Sequence, residues 1–226
     1  MKRLYKKPTR RGFTLIELLT AIAIMGLLAG AMLNIIPRVR VAAAKANASR
    51  NLSSINTTYL SYATGGGRLR NISKEGAPNE GGATSVAQYA EVLAREGMND
   101  AAVWYIENDQ RLDGVTIPQQ VLKDGNGANQ MESAKPASWA VVVNAGKNLD
   151  TNYPLIWTRG LETAGTWKEN SPWGDTGGHI AFGDGHILWY NRTTIKGEQF
   201  ISRKDKKETP SYQEAIGENA VRLEDE

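Results

Sequence analysis

Two places in the chain carry residues that could do chemistry. The first is Glu17, a carboxylate inside an otherwise apolar run from Phe13 to Ile36, FTLIELLTAIAIMGLLAGAMLNII. An ionisable group in such a run is costly to place in a membrane, so it is expected to have a task and a partner of opposite charge. The second is a set of possible ion ligands much later in the sequence, Asp175, His179, Asp184 and His186. Carboxylates and imidazoles are ligand types for calcium and zinc.

Spacing tests the second set. Asp184-Gly185 between alternating apolar residues is a strong hairpin signal. With those two residues as the turn, Phe182 pairs with Ile187 and Ile180 with Trp189, all four on one face. His179 and His186 then fall about 13–14 Å apart along the strand. They cannot share an ion whose nitrogen ligands lie at about 2.0–2.1 Å. The loop Asn170-Ser171-Pro172-Trp173-Gly174-Asp175 together with Asp184 lacks calcium-loop spacing. Asp184 therefore reads as a turn residue, Asp175 as a solvated loop acid, and no metal or cofactor is expected. The sequence has no nucleophile elbow, phosphate loop or paired-carboxylate spacing, so it does not read as an enzyme. It also has no cysteine, which excludes disulfides and thiolate sites. Trp167 and Trp173, in a loop, are the tryptophans expected to face a contact surface, whereas Trp139 and Trp189 sit in strand patterns.

The elements around Glu17 are set by charge and length. The first twelve residues hold Lys2, Arg3, Lys6, Lys7, Arg10 and Arg11 and no acid, leaving 21 of the 27 basic residues against 24 acidic ones in the rest. The basic character belongs to this leader, and nucleic-acid binding loses its electrostatic support once the leader is set aside. A helix over Phe13–Ile36 would be about 36 Å long, enough to cross a hydrocarbon core of about 30 Å. The preceding cations put the N-terminus in the cytoplasm and the later chain outside. An ordinary signal peptide cut near Ala29-Gly30-Ala31 fits less well, because the run is long and contains a carboxylate.

Beyond the run, Val41, Ala44, Ala48, Leu52, Ile55, Tyr59 and Tyr62 recur at helical spacing, and Gly65-Gly66-Gly67 stops the helix. Pro37 predicts a kink. Ser85 opens a short capped helix that carries Tyr89, Ala90 and Leu93 and stops at Gly97. Val103–Ile106, Trp139–Val143 and Pro154–Trp157 read as short buried strands. The charged segment from Ser202 reads as mobile.

The string Arg11-Gly12-Phe13-Thr14-Leu15-Ile16-Glu17-Leu18-Leu19 closely resembles the cleavage and methylation motif of type IV prepilins and type II secretion pseudopilins. The resemblance implies that a membrane aspartyl peptidase cuts between Gly12 and Phe13 and methylates the new Phe13 amine. Physically, glycine leaves the scissile backbone accessible, and the cut creates a cation. Between staggered parallel helices, Glu17 of one copy can meet the Phe13 amine of its neighbour, a pairing better suited to fixing register than to adding stability. The hairpin Gly178–Tyr190, with its Asp184-Gly185-His186, is similar to the C-terminal hairpin of a large pseudopilin-like group. Some relatives carry a histidine where Gly174 stands here, so no such role carries over. Many pilins have a helix-breaking proline where Asn34 stands.

The expected architecture is α+β and pilin-like: a long N-terminal transmembrane and amphipathic helix packed on a small antiparallel β-sheet head. Its parts are a basic leader over 1–12, a membrane or filament-core helix over 13–36, and an amphipathic continuation over 37–63. A globular head over 64–201 and a charged, mobile tail over 202–226 complete it. The expected function is that of a structural, non-enzymatic subunit of a type II secretion pseudopilus or similar filament. Its implied partners are the prepilin peptidase/methyltransferase, copies of itself and other pilins, and an inner-membrane assembly platform. It would start as a single-pass inner-membrane protein with an extracytoplasmic head and end in a periplasmic or surface filament. A type IV pilus subunit for adhesion, motility or DNA uptake is the alternative, and the absent cysteine pair tilts against it. A signal-anchored binding protein or enzyme is a third reading.

Overall fold

The computed structural model describes residues 12–65, 70–75, 81–134, 136–146 and 149–225. Apart from Gly12, the leader expected over 1–12 lies outside the described residues. The chain divides into two compact units, one ending at Ala43 and the other beginning at Ala44.

Helix α1 runs from Leu15 to Thr64 with Pro37 inside it. Within the first unit its apolar residues are uncovered: Leu15, Ile16, Leu18, Leu19, Ile22, Leu27 and Leu33 are all exposed. Leu15–Leu33 is long and apolar enough to cross a membrane. Thr20 returns its hydroxyl to the Ile16 carbonyl at 3.0 Å, so its polar group is satisfied inside the helix.

In the second unit the stripe read from sequence is the face that is buried. Ala44, Ala48, Leu52, Ile55, Tyr59 and Tyr62 all enter the core, and the helix stops one residue before Gly65. Asn56 reaches across to the sheet, donating from Nδ2 to the Phe182 carbonyl at 3.0 Å. Helix α2, Val86–Arg95, starts on the Ser85 side chain, which accepts the Gln88 N–H, and it buries Tyr89, Ala90 and Leu93. Tyr89 stacks on Tyr59 at 5.9 Å and meets Trp104 edge-on at 6.1 Å.

The strands are β1 Trp139–Val143, β2 Pro154–Thr158, β3 Gly178–Phe182, β4 Ile187–Tyr190, β5 Phe200–Ile201, β6 Glu208–Thr209 and β7 Val221–Leu223. An antiparallel five-stranded sheet runs in the order β4-β3-β2-β1-β7, and β5 and β6 form a separate ribbon. Strands β1, β2 and β3 are buried along their whole length, which is why β1 and β2 read as continuous apolar runs and not as alternation. With α1 ahead of it, this is the α+β, pilin-like architecture expected from the sequence.

Three expectations need correction. Val103–Ile106 is not a strand. Asp100 accepts the Ala102 N–H at 2.9 Å and turns Ala102–Trp104 into a 3-10 helix, which sends Trp104 into the core.

The hairpin register is shifted by one residue. Ala181 pairs with Ile187, Ile180 with Leu188 and His179 with Trp189. A two-residue turn at 184–185 would need positive φ at both positions, and only Gly185 has it (96°). Asp184 instead uses its carboxylate to accept the His186 N–H at 3.0 Å, and Phe182 N–H bonds to the His186 carbonyl at 3.0 Å. The loop is therefore Gly183-Asp184-Gly185. A Cβ at Gly183 would lie 2.8 Å from the Asp150 carbonyl oxygen, so this position too admits only glycine.

The segment from Ser202 is ordered structure and not a mobile tail. It holds β6, helix α3 (Tyr212–Ile216) and β7, the strand that pairs with β1. Its charged residues bond to backbone groups elsewhere. Arg222 donates to the Leu161 carbonyl at 2.8 Å, Glu224 accepts the Gly160 N–H at 3.1 Å, and Asp225 accepts the Ala137 N–H at 2.9 Å. Tyr212, Ala215 and Ile216 supply the buried surface.

Candidate functional site

Gly12, Phe13 and Thr14 precede the helix and have no regular structure, so the Gly12–Phe13 peptide bond lies outside any hydrogen-bonded ladder. Gly12 has nothing within 4 Å of where a Cβ would stand, and Phe13 is 89% exposed. A protease needs its scissile bond free of helical hydrogen bonding, and this segment lies ahead of the helix.

Four residues on, Glu17 sits in the first turn of α1. Its Oε2 accepts the Thr14 N–H at 2.8 Å and the Thr14 hydroxyl at 2.9 Å, while its own N–H donates to Thr14 Oγ1 at 3.3 Å. This is a capping box, in which two residues three apart satisfy donors that the first turn leaves free. The pattern Thr14-Leu15-Ile16-Glu17 before an apolar run is its sequence signature. Thr14 is the residue that sequence reasoning passed over. The arrangement holds the Glu17 carboxylate on the N–H of Thr14, the residue after the one whose amine a cut would free. An anionic group in the first turn also complements the helix dipole.

In the second unit, the histidines fall on opposite faces of the sheet. Phe182 stacks on His186 at 4.4 Å and touches Tyr190 at 6.0 Å, and that side continues to Phe200. His179 lies on the other side, edge-on to Trp189 at 4.9 Å. His186 Nδ1 contacts an Asp184 carboxylate oxygen in the hairpin loop, and Asp175 sits apart in the 3-10 turn Gly174–Thr176. Among the described residues no three His, Asp or Glu side chains are grouped to hold an ion.

Trp167 and Trp173 are both buried, so they do not form the contact surface expected of them. Trp173 meets Trp189 at 6.2 Å, and the Lys45 ammonium from α1 stands 3.6 Å from the Trp189 ring centre. Burial pushes the Lys45 pKa down. It also pushes the His179 imidazole down to about 4, and the Lys45 charge adds to the effect. His179 is thus neutral at ordinary pH and serves as an aromatic packing group. Another buried pair, Arg159 with Asp109, has no counterpart in the sequence reading.

A family model described as the prokaryotic N-terminal methylation motif matches residues 7–33. That window contains the Gly12–Phe13 bond, the capping box and the span Leu15–Leu33. No curated protein and no solved structure matches the chain.

Proposed function

Because this chain opens with a type IV prepilin-like N-terminus, we propose that it is a structural, non-enzymatic pseudopilin-like subunit of a type II secretion pseudopilus or a similar filament. The observation that carries the reading is the methylation motif over residues 7–33 with an accessible Gly12–Phe13 bond. Prepilin-like precursors are processed by a prepilin peptidase and assemble with other pilins, and a membrane-anchored chain of this kind needs both steps.

In this reading Phe13 becomes the mature N-terminus and carries a methylated amine. The exposed span Leu15–Leu33 sits in lipid before assembly and against like spans afterwards. Glu17 pairs with the Phe13 amine of a neighbouring copy, exchanging part of its bond to Thr14 for a charged partner. Further partners are the inner-membrane assembly platform and other pseudopilins, and the head lies outside the cytoplasm.

Mass spectrometry of protein extracted from membranes tests this directly. N-methyl-phenylalanine from Phe13 is expected, and deletion of the prepilin peptidase should restore the leader. A mature chain beginning elsewhere, after Ala31 for example, would refute the proposal.

A further inference from the structure

The part of α1 that follows the span carries charge of one sign. From Leu18 to Lys74 the sequence contains no aspartate or glutamate, yet Arg38, Arg40, Lys45 and Arg50 all lie on the helix. Two of these cations are occupied: Lys45 lies over Trp189, and Arg50 donates to Asn47 at 3.1 Å. Arg38 and Arg40 are exposed, and no ion pair among the described residues engages either.

Depth and direction identify what they meet. At 1.5 Å per residue, Arg38 and Arg40 stand about 3 and 6 Å beyond Ile36, within a headgroup layer about 5–7 Å thick. At about 100° per residue they point to nearly opposite sides of the helix. A single docked partner covers one side, whereas the ring of lipid headgroups around an unassembled span meets both arginines at once. Pro37 adds a second feature at this depth. It has no N–H, so the Leu33 carbonyl, one turn before it, lacks its helical donor and needs one from water or a headgroup hydroxyl.

We propose that Arg38 and Arg40 form a cationic collar that binds the phosphates of anionic phospholipids in the extracytoplasmic leaflet. The proposal rests on the membrane-anchored reading and goes beyond it in naming a lipid class. The guanidinium fork suits phosphate, and each arginine should raise local association with anionic lipid about fivefold. The collar sets the depth of the span and resists its withdrawal until assembly supplies other contacts.

The test reconstitutes the full chain in phosphatidylcholine vesicles containing spin-labelled phosphatidylglycerol or spin-labelled phosphatidylcholine. The motionally restricted fraction gives the selectivity. Wild type should prefer phosphatidylglycerol, and Arg38→Gln/Arg40→Gln should lose about fivefold or more of that preference. Arg38→Lys/Arg40→Lys should keep most of it. The leader is the same in every variant, so the difference reports the collar alone. Unchanged selectivity in the glutamine variant overturns the proposal. Unchanged selectivity with reduced self-association would assign the arginines to a second copy instead. Failure of wild type to float with the vesicles would refute the membrane reading and the collar with it.

Discussion

Glu17 and Thr14 satisfy one another in both directions: the carboxylate accepts the Thr14 N–H at 2.8 Å, and the Glu17 N–H donates to Thr14 Oγ1 at 3.3 Å. Glu17 therefore has a task within its own chain as well as the intermolecular one proposed for it, and the two can be separated. Glu17→Val should insert and be cleaved but yield few filaments. Thr14→Ala removes the cap while leaving the charge, and should retain most of the filament yield. Sheared-filament recovery with immunoblots of membrane-bound subunit reads both. Equal loss from the two variants would show that the cap, and not the charge, carries the role.

Gly12 offers the second prediction. A side chain there has open space in the free chain, so Gly12→Val should fold and insert normally. It should nevertheless block processing, because the added bulk sits at the scissile bond. The expected product on a denaturing gel is a stable, leader-bearing precursor. Normal conversion to a chain starting at Phe13 would show that the peptidase does not need glycine at this position.

The third concerns stability. Arg159 donates from Nε to Asp109 Oδ2 at 2.7 Å, and Ser138 donates to the same oxygen at 2.8 Å, with both charged side chains almost wholly buried. Removing one partner leaves a buried charge, so Arg159→Met should cost about 3–5 kcal/mol. Replacing both, as Arg159→Met/Asp109→Leu, should recover a large part of that loss. Urea denaturation of the detergent-solubilised chain, followed by tryptophan fluorescence, measures each. A double variant no better than the single one would mean that the hydrogen bonds matter more than the charges.

The fourth concerns pH. Burial holds His179 at about 4 in the folded chain against 6.5 for the free imidazole, so the unfolded chain binds the proton more readily. The contribution from neutral His179 is complete above about 6.5. It falls away as pH drops toward 4, by at most about 3 kcal/mol. His179→Phe keeps the contact with Trp189 and has no proton to bind, so it should flatten that part of the stability profile. An unaltered slope between pH 6.5 and 4 would assign the acid sensitivity to other groups.

What could be read from the sequence was what local pattern encodes. The stripe Ala44–Tyr62 and the strands at Trp139 and Pro154 follow from periodicity and apolar runs, and Glu17 stood out because it was the one acid in its surroundings. The hairpin was visible but its register was not, because Asp184 had to be assigned a φ that only the fold reveals. The Asp109–Arg159 pair was invisible, since nothing local distinguishes two charged residues that meet in the core from two that face water. The segment after Ser202 was misjudged because its charges looked solvated. Arg222, Glu224 and Asp225 instead satisfy backbone groups of distant loops.

The place of β7 beside β1 has a consequence for export. β1 is Trp-Ala-Val-Val-Val, and its second neighbour arrives only after β2, β3, β4, β5, β6 and α3 have been made. On the export route proposed above, this apolar strand stands with one flank unpaired until the segment after Ser202 arrives, a template to which other unfinished copies could add. Closing that flank is the task of a short segment whose acids and arginine anchor it to two separate loops, at Ala137 and at Gly160-Leu161. A fast final closure would thus guard against premature clumping between copies.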